Sequence, residues 1–314
     1  MENPFMFKSS SCAARSLALF AATAACIALP TALAKAPAEQ AAQFAYPAAK
    51  LAALPGGTFQ KPKCCNVTEW KLTSPEGEDI EVTVVDPLGK GKRPTIVWLH
   101  REGQDVKRAG FAQEAETLAA MGIASLLVEL PFKQPYLAKS AERSGDADAI
   151  RRAVINARRV IDWAATRPEF DLKQLAVVGH RFGAWAAVLL TAVDSRIDAA
   201  VLLSPPGKPS GWLQVSEQPR AKAFRESFDK AQWADYLTAI EPLDPERWIG
   251  LSAPSKLFFQ FGSADAWVQT LEQVDLFRAA PQPKSRQMYE SDELLNDEAK
   301  KDRIAWLKRT LTGK

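Results

Sequence analysis

From Asn66 to the end of the chain, short apolar runs alternate with longer stretches in which apolar residues recur every three or four positions. Residues 67–72 and 80–85 flank Ser74-Pro75-Glu76-Gly77, and this pattern predicts a β-hairpin around a Pro/Gly turn. Residues 95–99, 123–130, 175–178, 199–203, 256–261 and 285–289 each have the length and apolar content of a buried strand. Between them, residues 111–120 read as helix, and Ile150, Val154, Ala157, Ile161 and Ala164 mark one face of a long amphipathic helix. Residues 184–190 read as a buried helix, and Ile304, Leu307 and Leu311 mark a closing one. A hairpin followed by strands and helices in alternation predicts a mostly parallel sheet covered on both faces. In such sheets the functional site lies at the carboxyl ends of the strands.

Residues 207–247 are the one long interruption. Trp212, Phe224, Phe228, Trp233 and Tyr236 are spaced there to suit one or two helices. Two readings stand: connecting helices with their aromatic face on the core, or a lid insert, within 206–247, over the site. At the other end, residues 35–65, rich in Ala, Pro and Gln, read as a flexible mature N-terminus that leads into a domain spanning 66–314.

Composition narrows the function classes. The 314 residues are 47% hydrophobic and 25% charged, which suits one large globular domain, or at most two, with ample core. A net charge of +3 is too slight to direct the protein to nucleic acid or to a membrane surface. Residues 1–34 have the form of a signal peptide: basic Lys8 and Arg15, an apolar core over 16–30, and Ala32-Leu33-Ala34 as an A-x-A cleavage site. The apolar run is too short to favour a membrane span, and Thr23 sits where a lipid-anchoring signal ahead of Cys26 prefers leucine. The expected location is therefore periplasmic or secreted. Cys12 and Cys26 would leave with the leader, so the mature chain keeps the adjacent pair Cys64 and Cys65, as thiols or as a strained vicinal disulfide. No metal-ligand spacing, phosphate loop or dinucleotide fingerprint is present, and no metal or cofactor is expected.

The chemistry centres on residues 175–190. An apolar strand runs into Gly179-His180-Arg181-Phe182-Gly183 and then into helix. Strand, G-x-x-x-G and helix is the setting of a nucleophile elbow, in which a strained middle residue is exposed above the sheet. Trp98-Leu99-His100 with Gly103 has the form of a loop that lends N–H groups to an oxyanion hole. Residues 161–164 with 167–171 form a helix-to-strand lead-in, residues 259–265 a strand and acid-bearing turn, and residues 289–293 the segment after a last strand. Together these segments resemble the α/β-hydrolase family, in its dienelactone-hydrolase-like and acyl-peptidase-like branch, over about residues 67–311.

The resemblance implies the α/β-hydrolase fold, a mostly parallel central sheet with helices on both faces and a short helical insert over the site. Residue by residue, it maps the nucleophile to Arg181, the acid to Asp265 and the base to Glu293, with His100, Arg101 and Phe182 around the oxyanion region. Only the acid keeps the family's residue type, and Arg101 stands where the family usually has glycine. An arginine stays protonated and cannot attack a carbonyl. The chain's two histidines, His100 and His180, both precede Asp265. Loss of the nucleophile or the base alone typically costs on the order of 10⁶ in turnover. Ser204, Ser263 and Ser291 are the nearby hydroxyls, and none has a histidine placed to activate it.

The expectation is an exported protein without an intact triad that binds a small molecule, anionic or acyl-containing, or an envelope protein through the former cleft. The alternative is an atypical hydrolase of ester or similar acyl bonds, with water activated by Asp265 or Glu293 and an oxyanion stabilised by arginine. A purely structural role has no positive signal in the sequence. Arg181 is expected to pair with Glu293, Asp265 or both, because a buried arginine without a carboxylate is costly. For the leader, N-terminal sequencing of exported protein should begin at Lys35; a lipid-modified start at Cys26 would contradict a soluble exported form.

Overall fold

The hairpin expected at the start of the domain is the foundation of the sheet. Strands β2 (Cys65–Thr73) and β3 (Asp79–Pro87) pair antiparallel, with Val67 opposite Val85 and Leu72 opposite Ile80. The computed structural model describes residues 38–103, 107–131, 146–252 and 255–313. The leader, with Cys12 and Cys26, and the polar loop 132–145 lie outside the described residues.

Along the chain the remaining strands are β1 (Ala52–Lys61), β4 (Arg93–Leu99), β5 (Ala124–Val128), β6 (Phe170–His180), β7 (Ala199–Leu203), β8 (Lys256–Gly262) and β9 (Lys284–Tyr289). Together the described strands form one nine-stranded sheet in the order β1-β2-β3-β5-β4-β6-β7-β8-β9. The first three strands and the β3–β5 join are antiparallel; every pairing from β5 to β9 is parallel. The sheet is thus mostly parallel in the part that carries the site, as the alternating pattern predicted. Strand β6 shows why its sequence is a continuous apolar run. Leu175 and Val177 enter one core cluster while Ala176 and Val178 enter the other, so both faces are buried.

One face is covered by α3 (Asp146–Ala165) and α4 (Phe182–Val193), whose Val154, Val160, Trp185 and Leu189 are buried in the larger cluster. The other face is covered by α2 (Ala112–Ala119) and α10 (Asp297–Thr312), through Leu118, Leu307 and Leu311. Helix α4 is buried at every position from Phe182 to Thr191, which explains its run of apolar residues without amphipathic spacing. Between β7 and β8 the insert forms α5 (Pro209–Val215), α6 (Pro219–Glu226), α7 (Lys230–Ile240) and α8 (Pro245–Trp248). Helix α9 (Thr270–Ala279), between β8 and β9, has no counterpart in the sequence reading.

The insert resolves the two readings in a divided way. Phe224, Phe228, Trp233 and Tyr236 pack on one another with ring centroids 4.9–6.4 Å apart, and Phe224 and Tyr236 are buried in the core. The Tyr236 hydroxyl donates to Asp146 at the start of α3, 3.0 Å away. These four rings hold the insert to the body. Trp212 on α5 instead faces Trp267 at 5.5 Å and lines the site.

The expected flexible N-terminus over 35–65 is corrected for the described residues from 38 onward. A short helix α1 (Ala38–Ala42) leads to Phe44, which is fully buried with its ring 5.4 Å from that of Trp248. Arg158 donates to the Phe44 carbonyl at 2.9 Å. The Tyr46 hydroxyl donates to Asp162 at 2.6 Å, and the guanidinium of Arg158 lies 4.9 Å from the centre of its ring. Strand β1 then pairs with β2 across a register shift between Pro55 and Thr58. Its side chains are almost all exposed, so it shows no apolar alternation and is held by backbone hydrogen bonds at the sheet edge. Cys64 and Cys65 at the β1–β2 turn are both thiols; burial, with a hydrogen bond to Cys64, pushes the Cys65 thiol up to about 12.

Among the described residues no helix is long and apolar enough to cross a membrane. Because Phe44 fills a core site, Phe44→Ala should lower unfolding stability by about 3–5 kcal/mol, measured by denaturant titration. A loose N-terminus would give no change.

Candidate functional site

The site is built where β6 passes into α4. A Cβ on Gly179 would lie 2.3 Å from the Gly183 carbonyl oxygen, and one on Gly183 would lie 2.1 Å from the Leu99 carbonyl oxygen. Strand, turn and helix therefore approach more closely than any side chain allows, and this is the physical reason for the G-x-x-x-G spacing. Arg181 sits between the two glycines at φ 51°, ψ −110°, a strained conformation for a non-glycine residue. The Arg181 N–H donates to Leu203 at 2.9 Å, and its carbonyl accepts the Trp185 N–H at 2.8 Å. The elbow expected from the sequence is present, with Arg181 at its tip.

The sequence reading paired this arginine with Glu293, Asp265 or both. The structure corrects the main partner to Glu102. Arg181 Nε and Nη2 each lie 2.7 Å from Glu102 Oε1, and the other carboxylate oxygen accepts the Phe182 N–H at 3.3 Å. Glu293 is at the edge of contact, 3.9 Å from Nη1. Asp265 does not bond the arginine: its Oδ1 accepts the N–H groups of Trp267 and Val268 at 2.8 and 2.9 Å, and its Oδ2 is buried without a hydrogen-bond partner. Burial raises the Asp265 carboxyl above its usual range, against the lowering effect of those two N–H groups and of Arg181.

As a lone carboxylate in a polar loop, Glu102 has no periodic signature in the sequence. The usable signal was topological. Leu99 at the end of β4 is in register with Gly179 of β6, so the residues just beyond both strands must meet. The Arg181 and Glu102 side chains are only 10% and 11% exposed, which makes the pair a buried one.

The other expected residues surround this pair. His100 is buried and neutral: its Nδ1–H donates to the Arg101 carbonyl at 2.7 Å, and its Nε2 accepts the Leu130 N–H at 2.9 Å. With Nε2 so used, His100 has no proton there for Glu129, 3.7 Å away. Burial lowers its pKa. His180 Nε2–H donates to the Glu293 carbonyl at 2.8 Å, and burial lowers its pKa to about 4. Both imidazoles hold loops in place. Arg101 donates to the Glu102 carbonyl at 3.1 Å, which braces the same loop, and Phe182 is buried against Trp185. The acid turn and the segment bearing Glu293 are tied together, with the Ala264 N–H donating to Ser291 at 2.9 Å.

Two adjoining spaces share Arg181 and Trp267. One lies under α5 and is lined mainly by apolar side chains, among them Phe182, Trp212, Trp267 and Val268. The other is a polar cleft bounded by Arg101, Glu102, Arg220 and Glu293. The Arg181 guanidinium stands 5.0 Å from the centre of the Trp267 ring, a cation–π distance. Ser204 also lines the apolar space, at φ 43°, with its Oγ buried and lacking a hydrogen-bond partner. A serine that no base contacts is not an activated nucleophile. Glu272 lines the same space and accepts the N–H groups of Gly207 and Lys208, each at 2.7 Å. Among the described residues no cluster of His, Cys, Asp and Glu is placed to hold a metal ion.

No family model matches the sequence, and no match is found among the curated proteins. Solved structures do match. An acetyl xylan esterase from Paenibacillus sp. aligns over 86% of this chain and 91% of its own, with TM-score 0.67 and 14% identity. Acetyl xylan esterase 1 from Thermoanaerobacterium sp. aligns over 88% and 93%, with TM-score 0.70 and 13% identity. This chain has the α/β-hydrolase fold. An esterase from Pyrococcus furiosus aligns over 79% of the chain and 92% of its own, with TM-score 0.56 and 16% identity. At these identities the likeness carries the α/β-hydrolase architecture and leaves the chemistry to the residues themselves.

The Arg181–Glu102 pair makes a measurable claim. Arg181→Ala should destabilise the protein by about 3–5 kcal/mol, because it leaves a buried carboxylate without its cation. Arg181→Ala combined with Glu102→Ala should recover part of that loss, whereas Arg181→Ala combined with Glu293→Ala should recover little. Denaturant titration of the three variants checks this, and simple additivity of the first double variant would dissolve the pair.

Proposed function

We propose that this chain is a non-catalytic α/β-hydrolase-fold protein that binds a small molecule through the cleft over Arg181, in the periplasm or outside the cell. One observation carries this reading. The elbow tip, the place of the nucleophile in the fold, holds an arginine, and the carboxylate of Glu102 bonds both that arginine and the Phe182 N–H. In an active elbow the N–H after the nucleophile faces the developing oxyanion. Here a fixed negative charge stands at that N–H, 3.3 Å away, where a second negative charge would be repelled. Three further features agree with this reading: Glu293 at the position of the base, the two buried and neutral histidines, and Ser204 with no base on its hydroxyl. The export half of the reading rests on the leader's sequence pattern.

A second reading, ester hydrolysis by carboxylate-activated water, is favoured by Asp265, whose carboxyl is raised above its usual range and has an unused oxygen. It is also favoured by the esterases among the structural neighbours.

Purified mature protein should not be labelled by fluorophosphonate probes and should not turn over p-nitrophenyl acetate or butyrate above the buffer rate. In a small-molecule thermal-shift screen, cleft ligands should raise its melting temperature. Stoichiometric labelling, or turnover abolished by Asp265→Asn without labelling, would replace the binding reading with the enzymatic one.

A further inference from the structure

The contact between Arg181 and Glu102 is, taken atom by atom, a carboxylate-binding site with an occupant. Two guanidinium nitrogens at 2.7 Å and the N-terminal N–H of the twelve-residue helix α4 converge on one carboxylate. A guanidinium edge and a helix N-terminus are the two devices by which proteins most often hold such a group. The occupant comes from the loop after β4 and borders the polar cleft, and on the other side of Arg181 opens the mainly apolar space under α5. Two polar atoms at this site have no hydrogen-bond partner although they are buried: Arg181 Nη1, on a residue 8% exposed, and Ser204 Oγ, on a residue fully buried. Unpartnered buried polar atoms are costly, and a ligand that supplies acceptors would relieve that cost.

We propose that the site binds a small organic monocarboxylate with a short apolar body, whose carboxylate replaces that of Glu102 on Arg181 and the Phe182 N–H. This rests on the non-catalytic reading and names its ligand class. The apolar body lies against Trp212, Trp267 and Val268, and Ser204 provides the polar contact at its side. Charge limits the ligand to a monoanion. Glu293 stands 3.9 Å from Arg181 and Glu272 lines the apolar space, so a phosphate dianion would meet two carboxyl groups. Size limits it as well, because the space under α5 that is open to water-sized molecules is only about 30 Å³. Glu102 then acts as a tethered competitor, and the protein binds its ligand only to the extent that Glu102 yields the place.

The consequence is unusual for a residue at a binding site: removing it should improve binding. By calorimetry on the full mature chain, Glu102→Gln should bind butyrate and benzoate at least about tenfold more tightly than the unaltered protein. Butyramide and inorganic phosphate should bind neither protein. Glu102→Ala should melt at a lower temperature, and added butyrate should restore it where butyramide does not. If Glu102→Gln weakens or leaves unchanged the affinity for both acids, or if butyramide binds as well as butyrate, the inference is wrong. In those cases the binding reading survives whenever the thermal-shift screen yields another cleft ligand, and only ester turnover or fluorophosphonate labelling removes it. Should Glu102→Ala fail to fold, the comparison of acid and amide on the unaltered protein and on Glu102→Gln still decides.

Discussion

Everything near the site depends on how closely β6 and α4 approach each other around Arg181. The two flanking glycines allow contacts of 2.1–2.3 Å from the places where their Cβ atoms would be, so no other residue fits there. That approach forces the middle residue into a positive-φ conformation, at a cost of about 1–3 kcal/mol, and aims its side chain above the carboxyl ends of the strands. The buried α4 supplies the opposing stabilisation, with ten consecutive buried residues from Phe182 to Thr191. The strain is therefore a property of the junction, whichever side chain stands at its tip.

With an arginine at the tip, electrostatics dictates the neighbours. A guanidinium taken out of water requires a carboxylate in good geometry, and Glu102 provides it while also satisfying the Phe182 N–H. The surrounding loops are then fixed by neutral groups. His100 spans from the Arg101 carbonyl to the Leu130 N–H, and His180 ties the elbow to the Glu293 carbonyl. Burial keeps both rings uncharged, so neither adds a second cation beside Arg181.

The insert divides its side chains between the cavity and the core. Four aromatic rings of the insert pack into the body, while α5 alone brings Trp212 to the cavity. The segment around Phe44 and Tyr46 closes over α3 and α8. The cavity is thus walled by a short helix whose neighbours in the insert are anchored in the core.

The sequence by itself determined the periodic parts of this protein. Residues 199–203 form β7 as read, the hairpin of β2 and β3 is in place, and Gly179 and Gly183 mark the elbow without any structure in hand. Burial on two faces, amphipathic spacing and glycine at a close approach each leave a local trace, because each constrains neighbouring residues together. The tertiary structure alone decided the rest. Strand β1 is held by backbone bonds at an exposed edge, so its side chains carry no alternation. The choice of Glu102 over Glu293 and Asp265 as the partner of Arg181 depended on which loop the β4–β6 register brings within 3 Å. An ion pair needs only one charge from each segment, and a single charge in a loop has no period from which its partner can be read.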